Sequence, residues 1–138
     1  MSTSRRSALV RLAGLFLLTV PRVARGLDAH HAPPTHPTPR KGITGSKVAT
    51  PAMLSRSPHL VPLFDEVRAT PQIVDGIRCH CGCADLDGHY SLLTCYEGED
   101  AMAKICPICQ GMGRVAVRMH KAGRSLDEIR VAVDAQFG

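Results

Sequence analysis

The stretch CPICQGMGRVAVRMHKAGRSLDEIRVAVDAQF, residues 106–137, decides the fold. Ile108, Met112, Val115, Met119 and Ala122 recur at alternating intervals of four and three residues, which places one apolar stripe on a helix. Pro107 suits the first helical position, with Cys106 before it as the cap. Gly123 suits the left-handed residue that ends a helix. Ser125-Leu126-Asp127-Glu128 has the pattern of a capping box, and Leu126, Ile129, Val133 and Phe137 form the stripe of a second helix. Two helices joined by so short a turn are expected to pack as an antiparallel hairpin. Met112 and Met119 lie on the stripe and are read as core filler rather than as copper ligands.

Upstream of this hairpin lie the other thiols. All six cysteines fall within residues 79–109: Cys79-His80-Cys81-Gly82-Cys83, then Cys95, then Cys106 and Cys109. In an extended chain, residues two apart project to one side. Cys79, Cys81 and Cys83 are therefore expected to direct three sulfurs at one point, with Gly82 letting the backbone curl. A disulfide inside a Cys-x-Cys pair closes a strained small ring, so this triplet is a poor staple. A thiol capping a helix, as expected of Cys106, is favoured as thiolate by the free N–H groups and the helix dipole. Thiolates prefer zinc, copper(I) or iron.

Between residues 56 and 77 the pattern is helical. Leu60, Leu63, Phe64 and Val67 share a face, and Pro62 is tolerated near the first turn. Thr70-Pro71 reads as a cap and a first helical residue of a short turn ending at Gly76. Ile73, Val74 and Ile77 would then form an apolar lid beside the cysteines. Residues 78–98 have no period; Gly82, Gly88 and Gly98, with Asp85 and Asp87, mark turns. The expected class is mainly α: a small helical domain, residues 56–138, with a C-terminal antiparallel helical hairpin and an irregular Cys-rich loop.

The N-terminal part has a different character. Arg5 and Arg6 precede a short apolar run, residues 12–20, and Ala24-Arg25-Gly26 is a small-x-small cleavage site. Residues 1–26 thus read as an export signal, and Ser4-Arg5-Arg6-Ser7-Ala8-Leu9 resembles the twin-arginine type, which carries proteins already folded. The run is too short for a stable membrane span. The expected location is periplasmic or extracellular. Residues 27–55, rich in Pro and His, have no apolar period and are expected to be a disordered linker.

Composition limits the function further. The net charge is +5, but five arginines fall in residues 1–26, leaving 12 basic against 12 acidic side chains. With no basic face and only 4% aromatic residues, a nucleic acid partner is excluded. Trp is absent and the core is small, the situation in which domains lean on disulfides or a metal. There is no acid–base pair, no nucleophile with its base and no phosphate-binding glycine loop, so a binding protein is expected rather than an enzyme.

Ile77 through Cys83 resembles the CYCGC motif, often written PCYCGC, of an exported bacterial family known chiefly by that motif. The similarity runs over residues 58–138, through His89, Cys95, the CxxC pair and Gly123-Arg124-Ser125-Leu126-Asp127-Glu128-Ile129-Arg130. Arg78 stands where proline is common and His80 where tyrosine is usual. The resemblance brings no settled activity, although selenocysteine at a motif cysteine in some relatives would favour redox or soft-metal chemistry. Cys106-Pro107-Ile108-Cys109-Gln110 and the helices after it are also similar to cytochrome c maturation thiol oxidoreductases of the CcmH type. That likeness gives no role to Cys79, Cys81 or Cys83.

Three uses of the thiols compete. The first is a soft-metal site of copper, zinc or iron type on Cys79, Cys81, Cys83, Cys95, Cys106 and Cys109, with His80 as a further ligand, in metal trafficking or sequestration. The second is thiol-disulfide exchange, with Cys106 attacking and Cys109 resolving. The third is a set of three structural disulfides, for which six cysteines allow about 15 pairings. The metal site is preferred. His89 and His120 are read as ordinary polar residues.

Overall fold

The structure, a computed structural model, describes residues 35–138. The expected export signal, together with His30, His31, Pro33 and Pro34, lies outside the described residues. The class is as the sequence implies: mainly helical, with no strand among the described residues and one antiparallel bridge, Val48 to Glu97. None of the described helices is long and apolar enough to cross a membrane.

Among the described residues the five α-helices are α1 (Val61–Ala69), α2 (Pro71–Asp75), α3 (Cys83–Leu86), α4 (Pro107–Lys121) and α5 (Leu126–Phe137), with short 3-10 turns between and before them. Leu60, Leu63, Phe64 and Val67 are buried as their spacing demands, as are Val74 and Ile77. Pro62 and Pro71 sit in the first turns of α1 and α2, where their missing N–H costs nothing. Thr70 does not cap α2 through its side chain; its hydroxyl donates back to the Glu66 carbonyl at 2.9 Å.

α4 and α5 form the C-terminal hairpin, the most extensive helix pairing among the described residues. Gly123 has φ +76°, and the Ser125–Glu128 capping box is complete in both directions. Ile129 and Val133 are fully buried, with Leu126 and Phe137 packed beside them. The stripe of α4 is rotated from the expected one. Met112 and Val115 are buried and Met119 packs against the core as expected, but Ile108 is 40% exposed and Ala122 is exposed, whereas Cys109, Gly113 and Ala116 face the core. Two contacts set that rotation: Cys109 joins the other thiols, and the Tyr96 hydroxyl fits against Gly113 and donates to the Cys109 carbonyl at 2.7 Å.

The disordered linker is corrected over residues 36–55, which form an ordered strap. Val48, Ala49 and Leu54 are each 1% exposed or less. Asp75, buried at the end of α2, accepts from the Arg40 backbone N–H at 2.8 Å and from its guanidinium at 2.6 Å. Arg130 of α5 donates to the Pro37 carbonyl at 2.8 Å, Tyr90 to that of Thr38, and Arg68 of α1 to that of Ala49 at 2.6 Å. The strap has no apolar period because its order comes from polar bonds to the helical body and from a few isolated apolar anchors, Val48, Ala49 and Leu54, rather than from a continuous face of its own. The domain boundary expected at residue 56 therefore lies inside the packed region.

Candidate metal centre

Three separate segments bring the thiols together. Ile77 accepts the Leu92 N–H at 2.7 Å, which holds the chain entering Cys79 beside the 3-10 turn Leu92–Tyr96 that carries Cys95. Cys109 lies in the first turn of α4, behind Pro107. Sulfurs of Cys79, Cys81, Cys95 and Cys109 all lie within 4.8 Å of one another. Individual separations are 3.1 Å for Cys79–Cys81, 3.6 Å for Cys79–Cys109 and 3.5 Å for Cys81–Cys109. All six cysteines are free thiols, none at the ~2.05 Å of a disulfide. Four sulfurs about 2.3 Å from a tetrahedral ion stand roughly 3.8 Å apart, so the set needs little movement to close on one.

Cys83 departs from the expected convergence of three motif sulfurs. Gly82 adopts φ +95°, a conformation costly for any residue with a Cβ. That turn ends the extended alternation, and α3 begins at Cys83. The Cys83 sulfur stays 2.9 Å from that of Cys81, but it groups with His89 and Cys95 in an adjoining set whose donor atoms lie within 4.8 Å of one another. Cys95 belongs to both sets. His89, assigned no special part from sequence, is returned to the thiols by the turn at Gly88, and its Nδ1 stands 3.4 Å from the Cys95 sulfur. Its place six residues after Cys83 and six before Cys95 was the available signal.

Two expected ligands stand apart. The Cys106 sulfur caps α4, accepting the Cys109 N–H at 3.4 Å, and belongs to neither set. His80 turns away from its neighbouring thiols; its Nε2 is 2.8 Å from Asp134 of α5. Asp134 also receives His36 of the strap at 3.0 Å. His36 Nδ1 accepts the Arg78 N–H, so its Nε2 carries the proton and donates to Asp134. This histidine–carboxylate group is consequently a hydrogen-bonded latch, with no lone pair on His36 facing a cation.

Burial and mutual hydrogen bonding divide the thiols electrostatically. Hydrogen bonds from Cys109 first, then Cys95, pull Cys79 down to about 2, so it carries the charge. Burial first, then Cys83, push Cys81 up to about 12. Cys109 is raised because its proton serves Cys79, and Cys95, though drawn down by Cys109, is raised on balance by Cys79 and by burial. Like charges in a buried set cannot all ionise. One thiolate among thiols is a nucleus for a cation, which would displace the remaining protons on entry. Cys79, Cys95 and Cys109 are at most 1% exposed, whereas Cys81 is only half-buried and is the member of the set nearest solvent.

Residues 27–138 match the family described as proteins of unknown function with a PCYCGC motif. The chain belongs to the PCYCGC-motif family. A search of curated proteins finds no match, and a search of solved structures finds none either. The likeness to CcmH-type oxidoreductases is not among these matches. In the motif as named for the family, Arg78 replaces proline and His80 replaces tyrosine. Both departures fall in the latch: proline has no N–H to give His36, and the His80 ring supplies the nitrogen that meets Asp134. In this PCYCGC-motif protein Arg78 binds the strap through His36 and His80 binds α5 through Asp134, while the motif cysteines build the thiol sets.

Proposed function

We propose that this is an exported protein that holds a soft metal ion through the thiolates of Cys79, Cys81, Cys95 and Cys109, for metal trafficking or sequestration. The observation that carries this reading is the mutual approach of four sulfurs from three separate segments. Four thiolates in tetrahedral reach suit zinc or iron better than copper(I), which takes fewer sulfurs. The half-buried Cys81 provides a route for the ion to enter and leave, in keeping with a carrier. Export is supported by the N-terminal residues, and the family match begins at residue 27, directly after the Ala24-Arg25-Gly26 site. A twin-arginine route would allow the ion to be loaded before export.

Zinc affinity measured by chelator competition on Cys109→Ser and Cys106→Ser tests the reading. Loss of Cys109 is expected to weaken binding by more than about a hundredfold, since even outer-shell losses cost up to that much. Serine is a good helix cap, so Cys106→Ser keeps α4 intact and is expected to retain affinity within about tenfold. Equal loss in both variants would fit instead a Cys106–Cys109 pair acting together, and absence of any metal binding would end the proposal.

A further inference from the structure

We propose that the thiol cluster holds two soft divalent ions, bridged by the Cys95 thiolate, with Cys83 and His89 completing the second position. This rests on the four-thiolate site being a metal site. Cys95 is the one residue common to the two donor sets, and it is fully buried between them. The sets touch again where the sulfurs of Cys81 and Cys83 come within 2.9 Å. The second set is built by the backbone rather than by chance proximity of mobile side chains. The Cys83 carbonyl accepts N–H groups from both Asp87 and His89, closing the loop so that His89 returns over Cys83. His89 Nδ1 then faces the Cys95 sulfur, the orientation a ligand nitrogen needs.

Charge favours the second ion. Four thiolates around one divalent ion leave two negative charges in a buried site, a costly excess. A second divalent ion brings one new anion, Cys83, and a neutral imidazole, so the excess falls to one. A thiolate has lone pairs enough to bind two ions, and sharing Cys95 spares the site a further buried anion. The chemistry is proton displacement alone: each thiol that becomes a ligand gives its proton to solvent, and no sulfur is oxidised.

The test is titration of the reduced, metal-free full chain with ¹¹³Cd²⁺ under anaerobic conditions, read by native mass spectrometry and ¹¹³Cd NMR. Two ions per chain are expected, giving two resonances split by cadmium–cadmium coupling through the shared sulfur. His89→Ala and Cys83→Ser should each remove the second ion and the splitting while keeping the first. A wild-type chain that takes one ion would overturn the second position and leave the four-thiolate site standing. Two ions with no mutual coupling would overturn the bridge. No ion at all would overturn both this inference and the site on which it rests.

Discussion

Cys79 concentrates the charge of the thiol cluster, and its neighbours retain their protons. With Cys79 pulled to about 2 and Cys81 pushed to about 12, and with Cys95 and Cys109 also raised, a neutral solution leaves one thiolate and three thiols. Raised thiols compete with a metal more strongly as pH falls. Uptake of the first ion at neutral pH is therefore expected to release about three protons, with its apparent affinity falling up to about a thousandfold per unit of acidification. Proton release in weak buffer during zinc titration measures this. Asp75 behaves in the opposite sense. Burial alone would raise it, but Arg40 and Ser91 hold it below its ordinary value. Such a carboxylate contributes stability above its unfolded pKa of about 3.9 and loses it as pH falls through the folded value. Asp75→Asn should cost about 2 kcal/mol at neutral pH, and the cost should shrink in acid, as read from denaturant unfolding at several pH values.

At the scale of elements, the hairpin of α4 and α5 was legible because capping signals and apolar spacing agree there. Ser125, Glu128 and Gly123 act within a few residues of themselves, so no distant contact was needed to place them. The rotation of α4 was not legible, because Tyr96 and the other thiols decide it from elsewhere in the chain. A Cβ on Gly113 would stand 2.0 Å from the Tyr96 hydroxyl oxygen. Gly113→Ala should therefore displace Tyr96, break its bond to the Cys109 carbonyl and lower stability by about 2 kcal/mol, despite the better helix propensity of alanine. Thermal unfolding monitored with tyrosine near-ultraviolet dichroism checks both effects. The candidate site was half legible for the same reason. Cysteine spacing showed that the thiols cooperate, but Gly82 and the loop closure at His89 decide which donors meet.

For the whole molecule, the strap makes residues 36–55 part of one folded body. Composition alone misreads it, since proline and histidine without a period resemble a linker whenever their long-range partners are unknown. His36, Arg78, His80 and Asp134 join strap, motif and α5 at one point. Returning the motif to its family form with Arg78→Pro and His80→Tyr removes both motif contributions to that latch. The double variant should lose about 2 kcal/mol of stability and show faster amide exchange in the strap, while the number of bound ions stays unchanged. The central claim is that the assembled thiols hold metal rather than disulfides. Intact mass of the natively isolated chain, before and after denaturation with thiol blocking, is the test. Bound metal in the native spectrum and six blocked cysteines after denaturation are expected. A metal-free chain with no blockable thiols, six hydrogens lighter, would contradict it.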